Sequence, residues 1–348
     1  MRIAIEVSNS PGVMYHRQLI QHRGMDYELI NPGDKIPDGT DIFVTTDRAP
    51  FRENIPCKVV VDIDDYPVPP PHHILAGSAK LYDQKSKTIR WCDRADLITT
   101  TTVELSANIH RLAWRIAYVL PNAIDKTEPQ FALEPVKLDG IKRIGFVGGS
   151  THGHDLKLIR HAVKQLYADP DYNERFCFVY AGYDDDVKAT DLRGNKIKGF
   201  VSPHVEAELM FSNGELTLGF MSDKDQQSVS KRYYRRYAQN IHNYASVYTV
   251  LDAAIAPLED HRFNQCKSEL KFVEAAAFGV PLICSDVGAY SHLNSVIKCR
   301  NSAEWLQAFK DVIDGVNLPN PTEEANEKFN IERIREQRAL LYKSLLNG

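Results

Sequence analysis

The feature that most constrains this chain is an alternation of short apolar runs with amphipathic stretches, which begins, breaks once, and begins again. Arg2–Val7, Ile42–Thr46, Val59–Ile63, Leu97–Thr101 and Ala117–Leu120 carry Val and Ile at consecutive positions, the mark of strands buried on both faces. Tyr82–Cys92 and Val103–Trp114 between them read as helices, the second opened by a capping box of Thr101 and Glu104. Strand–helix–strand alternation predicts a parallel sheet covered by helices. Residues 123–140 break the pattern with two prolines, many charges and no apolar period, and read as a linker. The alternation then restarts with strands at Ile144–Val147, Phe176–Tyr180, Lys196–Phe200, Leu216–Phe220, Ala253–Ala256 and Leu282–Cys284. Helices are expected over Leu156–Leu166, Val229–Tyr248 and Ser268–Phe278, with a last one over Asn330–Leu346.

The expected architecture is therefore α/β, with two Rossmann-like domains over 1–122 and 141–329, a length that suits about two domains. At 43% hydrophobic and 25% charged residues, the chain is neither disordered nor fibrous. No run approaches the roughly 20 apolar residues of a membrane span. The first strand is too short and too acidic, with Glu6, to be a secretory signal, so a cytoplasmic protein without stable membrane insertion is expected. A net charge of −4 means that any polyanion partner must find a local basic patch. Six scattered cysteines without a CxxC pair read as reduced thiols. His72-His73 and His152-Gly153-His154 are the only close histidine groups, no HExxH occurs, and no metal site is expected.

Two open sheets joined by one linker leave a cleft, and such sheets bind ligands beyond the carboxyl ends of their strands. Residues 252–290 are the strongest candidate. A buried strand ending at Pro257 is followed by a polar loop, then by a helix starting near Cys266–Ser268 and stopped by Gly279 and Pro281. Lys267, Lys271 and Glu274 share one face of it. A cation in a first helical turn opposes the helix dipole, unless it faces an anion that the free amides also attract. Glu274, about 10 Å further along the axis, is spaced to take ribose hydroxyls while phosphates sit at the tip. A plain solvated Lys/Glu face explains the same pattern. Asp62, Asp64 and Asp65 form a second cluster at a strand end. They could hold a divalent cation, face the cleft, or only cap a turn. Lys231-Arg232-Tyr233-Tyr234-Arg235-Arg236-Tyr237 interleaves bases with aromatics, as nucleic-acid grips do, though on a helix Tyr234, Tyr237 and Ile241 would form a buried stripe.

The ordered set of motifs resembles retaining GT-B glycosyltransferases, particularly family 4. Glu274-Ala275-Ala276-Ala277-Phe278-Gly279-Val280-Pro281 is similar to the second half of that family's donor signature. Ala95-Asp96-Leu97-Ile98 with Thr101 and Leu105, then Leu120-Pro121-Asn122-Ala123-Ile124-Asp125, resemble the end of its first domain and its hinge. Phe146-Val147-Gly148-Gly149-Ser150 through Leu156 resembles the opening of its second domain. The resemblance implies transfer of a sugar from a nucleotide-sugar, UDP-linked, to an acceptor hydroxyl with retention and without a metal or other cofactor. It implies that a helix over 330–348 returns to the first domain. Donor contacts are expected from Gly12, Gly148, Gly149, Ser150, Lys267, Ser268 and Glu274. Lys267 and His152 would neutralise the leaving diphosphate, and Asp64 or Asp65 would orient the acceptor. Compact chains of this branch resemble phage enzymes that glycosylate hydroxymethylated DNA bases, which would give Arg232 and Arg235 an acceptor role. Polysaccharide, protein and small-molecule acceptors stay open, and a nucleotide-sugar-binding protein without activity is the alternative reading. Cys266 stands where the family carries its first acidic residue, and Gly149 and His152 replace its Arg and Lys.

Overall fold

The computed structural model describes residues 1–73, 76, 83–136, 140–184, 202–214, 227–230 and 232–348; the side chains of 150 and 227–230 are outside the description. The expected strands Lys196–Phe200 and Leu216–Phe220, together with Lys231, lie outside the described residues.

The first domain is one parallel sheet of β1 (Ile3–Glu6), β2 (Tyr27–Ile30), β3 (Ile42–Thr46), β4 (Lys58–Ile63), β5 (Leu97–Thr100) and β6 (Tyr118–Val119). Its order is β2-β1-β3-β4-β5-β6, with crossovers running to both sides of β1. Every residue of β1, β3 and β5 is buried, which is why these strands read as unbroken apolar runs. The second domain contains β7 (Lys142–Val147), β8 (Phe176–Tyr183), β9 (Gln227–Ser230), β10 (Tyr233–Tyr237), β11 (Ala253–Ala256), β12 (Leu282–Ser285) and β13 (Ile297–Cys299). They lie in the order β13-β12-β11-β7-β8-β10-β9, parallel except for the antiparallel edge strand β9. The final helix, Ile331–Asn347, lies against the first domain. There Arg338 donates to Gln21 at 2.6 Å, Tyr342 meets His22 at 2.9 Å, and the Tyr342 ring packs with Ile3, Ile5 and Val60.

Three local expectations are corrected. The cap of the Val103–Ala113 helix is Thr102, whose hydroxyl accepts from the Leu105 amide at 3.1 Å, so Thr101 is not the cap. Val229–Tyr248 is not a helix. Tyr233–Tyr237 forms β10 beside β8, and a 3-10 turn spans Tyr244–Val250. Tyr233 and Arg235 point inward on alternate positions, a period of two that the helical reading of Tyr234, Tyr237 and Ile241 overrode. The segment expected as one helix from Ser268 is instead a short helix, Arg262–Gln265, a turn, and the helix Leu270–Ala277.

Candidate functional site

The carboxyl ends of both sheets open onto one cleft. A cavity of about 210 Å³ there is lined from six strand-end segments. Beyond β1 come Ser10, Gly12 and, from the helical segment that follows, Val13 and His16. Asp64 and Asp65 follow β4 directly, and Asn122 closes the first domain's wall. The second domain supplies His152, Leu258, Lys267, Ser268, Leu270, Lys271, Glu274 and Tyr290. The structure thus brings together Gly12, Asp64, Asp65, His152, Lys267, Ser268 and Glu274.

Opposite charges meet across the cleft. Lys267 Nζ lies 2.9 Å from Asp65 Oδ1, with both side chains 21% exposed. Arg48 reaches the other oxygen of Asp65 at 3.1 Å. Burial opposes ionisation of Asp65, but Lys267 and Arg48 outweigh it and hold its carboxyl well below the usual range. Asp64 goes the other way: burial and the neighbouring Asp65 charge push it up. Asn122 Nδ2 ties the two domains by donating to Ser268 Oγ at 2.9 Å and Asp64 at 3.4 Å.

Lys267 stands in the turn between the two short helices, not in the first turn of a long one. Its ammonium also sits 4.5 Å from the centre of the Phe263 ring. Lys271, read from the sequence only as part of a helix face, is a second cleft cation. It donates to the carbonyl of Val147 at the end of β7 and lies 5.2 Å from the Phe146 ring centre. A Cβ at Gly148 would stand 2.8 Å from the Phe146 ring and 2.9 Å from Lys271 Nζ, so glycine is what lets this lysine approach the strand end. Gly149 is exposed and its missing Cβ faces open space, and Ser150 begins a 3-10 turn.

His152 Nδ1 lies 2.9 Å from Asp155 Oδ2. Asp155 also accepts from the Glu259 amide at 2.8 Å and Asn264 Nδ2 at 2.7 Å, and His152 and these donors hold its carboxyl low against burial. An ionised Asp155 fixes the His152 proton on Nδ1. Burial holds His152 below its ordinary value, which favours the neutral imidazole; burial lowers Lys271 as well, so the cleft's positive charge rests first on Lys267, which faces Asp65.

Glu274 is buried and holds two tyrosines: Tyr244 donates to it at 2.5 Å and Tyr248 at 2.9 Å. His16 Nε2 is 3.0 Å from the Tyr244 oxygen. Since that hydroxyl gives its proton to Glu274, His16 must donate, and burial lowers its pKa to about 4. A chain from His16 through Tyr244 to Glu274 therefore crosses the domain boundary. His16 and Tyr244 carry no sequence motif; Asn122 lies in the hinge motif and Tyr290 ends the 252–290 segment, but neither was expected as a site residue.

The remaining candidates go elsewhere. Asp62 is buried in a bidentate pair with Arg17, accepts from Thr99 at 2.5 Å, and does not join Asp64 and Asp65 in the cleft. The three aspartates form no metal cluster among the described residues. Arg235 is 4% exposed and pairs with Glu208, while Arg232 donates to the Asn173 carbonyl and covers the Tyr167 ring; neither lines the cavity. Cys266 is fully buried among first-domain core residues, so the position expected to be acidic does not face the cavity.

No described helix is long and apolar enough to cross a membrane. No family model and no curated protein matches the sequence. Solved structures do match. A sucrose-phosphate synthase from Thermosynechococcus elongatus superposes with a TM-score of 0.65 at 14% identity, covering 99% of both chains. A glycosyltransferase from Rickettsia africae gives 0.61 at 11% identity, over 100% of this chain and 99% of that one. The E. coli trehalose-6-phosphate structure bound with UDP-2-fluoro glucose gives 0.56 at 14% identity, over 87% and 73%. With two parallel α/β sheets facing one cleft, the chain has the GT-B glycosyltransferase fold.

Proposed function

We propose that this protein transfers a sugar from a UDP-linked donor to an acceptor hydroxyl, with retention of anomeric configuration. The observation that carries the reading is the cavity in which Lys267 and Lys271 of one domain face Asp64 and Asp65 of the other. The UDP-2-fluoro glucose bound in a structure of the same fold supports the choice of nucleotide.

In this reading the diphosphate lies along Lys267, Lys271 and the amides of Gly148–Ser150, and Gly12 leaves room on the opposite wall. As the bond from the anomeric carbon to the diphosphate oxygen breaks, negative charge grows on that oxygen. Cations already fixed in a partly dehydrated cleft stabilise it without reorganising. The acceptor oxygen forms the new bond to the same carbon, and its proton passes to the departing phosphate oxygen. No dedicated base is then needed. Asp64, whose carboxyl burial and the Asp65 charge push up, orients the acceptor hydroxyl, and the Glu274 carboxylate takes donor hydroxyls beside its two tyrosines. Two lysines supply the charge that a divalent ion would otherwise bring.

Mass spectrometry after incubation with mixed nucleotide-sugars tests this reading, with acceptors from oligosaccharides to 5-hydroxymethylcytosine DNA. Transfer from a UDP-sugar that persists in excess EDTA is expected. Loss in EDTA restored by Mn²⁺ or Mg²⁺ would refute the metal-free mechanism. Binding of UDP-sugar without transfer or hydrolysis would favour a binding protein. Arg235 is committed to Glu208 inside the domain and neither it nor Arg232 lines the cavity, so DNA enters as one acceptor among several.

A further inference from the structure

At one edge of the cleft three groups converge that the sugar-transfer reading does not use. His72 lies in the first domain, in the segment after β4. Glu259 and His261 lie in the second, in the loop after β11. His72 Nε2 stands 2.8 Å from Glu259 Oε2, and His261 Nε2 stands 3.9 Å from the same oxygen. One ligand atom from each lies within 4.8 Å of the others. Around a tetrahedral zinc ion with bonds of about 2.0–2.1 Å, ligand atoms stand roughly 3.3–3.5 Å apart, so side-chain adjustments of about 1 Å would close the site. Glu259 Oε2 is shielded from solvent yet accepts no aligned hydrogen bond, although two imidazoles face it. A shielded carboxylate oxygen facing two imidazole nitrogens calls for a shared ligand, and a bound cation supplies one.

We infer that His72, Glu259 and His261 form a binding site for a divalent transition-metal ion of the zinc class, and that the ion bridges the two domains. Two imidazoles and one carboxylate are a borderline-soft donor set that suits zinc over magnesium or calcium. Three protein ligands leave a fourth position for water. Binding also has a mechanical consequence. His261 Nδ1 now accepts from the Asn264 amide at 3.2 Å and caps the Arg262–Gln265 helix. A metal on Nε2 moves the ring proton to Nδ1 and ends that cap. The ion is thereby coupled to the turn that carries Lys267, without lining the sugar-nucleotide cavity.

The test is titration of the metal-free protein with Zn²⁺ against a chromophoric chelator, with Co²⁺ absorption as a spectroscopic check on coordination. One ion per chain with a Kd below about 10 μM is expected. His72→Ala and His261→Ala should each weaken it at least about tenfold, and His161→Ala, an exposed histidine on another helix, should not. Circular dichroism confirms that each variant is folded. Failure to bind, or equal binding by wild type and both variants, overturns the site. Loss in His261→Ala with retention in His72→Ala overturns the bridge between domains. None of these readouts depends on sugar transfer.

Discussion

The Lys267–Asp65 pair makes a prediction whose two halves have opposite signs. At 2.9 Å, Coulomb's law gives roughly 1.4 kcal/mol in bulk water and roughly 6 kcal/mol at an effective dielectric of about 20. Desolvation and side-chain ordering offset most of this, and part-exposed pairs net about 0.2–1 kcal/mol. A diphosphate competes with Asp65 for the lysine. Lys267→Met removes a charge-assisted hydrogen bond worth about 1.5–3 kcal/mol, so UDP should bind about 10- to 150-fold more weakly. Asp65→Asn frees the same lysine and lowers negative charge near the phosphates. It should tighten UDP binding about two- to fivefold, the factor corresponding to about 0.5–1 kcal/mol. Isothermal titration calorimetry on folded variants measures both. The double variant should bind UDP close to Lys267→Met, tighter only by the small effect of removing the Asp65 charge, because no lysine is left for Asp65 to withhold. If Asp65→Asn weakens UDP binding as much as Lys267→Met does, the competition argument fails and the ion pair itself is the donor-binding arrangement.

Glu274→Ala should weaken UDP-sugar binding by about 1.5–3 kcal/mol, read by calorimetry, while the Tyr244 and Tyr248 hydroxyls lose their acceptor. Asp62 has a folded pKa lowered to about 2, because Arg17 and Arg338 outweigh its burial. Its stabilisation is present above its unfolded value near 4 and fades as pH falls through about 2; Asp62→Asn, leaving Arg17 buried without its partner, should cost about 3–5 kcal/mol by urea unfolding at pH 7. Glu269 has the reverse sign: burial pushes its carboxyl up to about 8, so its contribution is full below about 4.5 and lost as pH rises through 8. The Glu269 contribution should lower wild-type stability as pH rises from about 4.5 to 8, and Glu269→Gln should flatten that fall.

The legible part of the fold is the part decided locally. β1, β3, β4 and β5 are buried along nearly their whole length, and burial on both faces forces Ile and Val into consecutive positions that need no knowledge of partners. The segment at 231–237 failed for the same reason in reverse. Its tyrosines and arginines satisfy a helical spacing and a strand spacing at once. The choice is made by Glu208, which sits on a different element and neutralises Arg235 inside the domain. An arginine that looks solvent-facing in the sequence is buried because its counter-charge arrives from elsewhere. The helix expected from Ser268 begins late for a related reason. His261 caps an earlier turn, and Cys266 is drawn into the first domain's core, which interrupts the run.

The site shows the same division between local and distant causes. Asp64, Asp65, Gly148 and Lys267 could be singled out because each follows a strand or a loop whose end is written in the residues beside it. What those residues do to one another was not readable. Lys267 and Asp65 are 202 positions apart, and only the closing of two domains makes them a pair. His152 looked like a cation for phosphate, but burial lowers its pKa and Asp155 holds its proton on Nδ1. Lys271, not read as a site residue, comes into the cleft because the missing side chain at Gly148 lets its amine reach the carbonyl end of β7. A motif gives the inventory of charge at a strand end. Its sign and availability in the cleft are set by partners that the fold alone brings within about 3 Å.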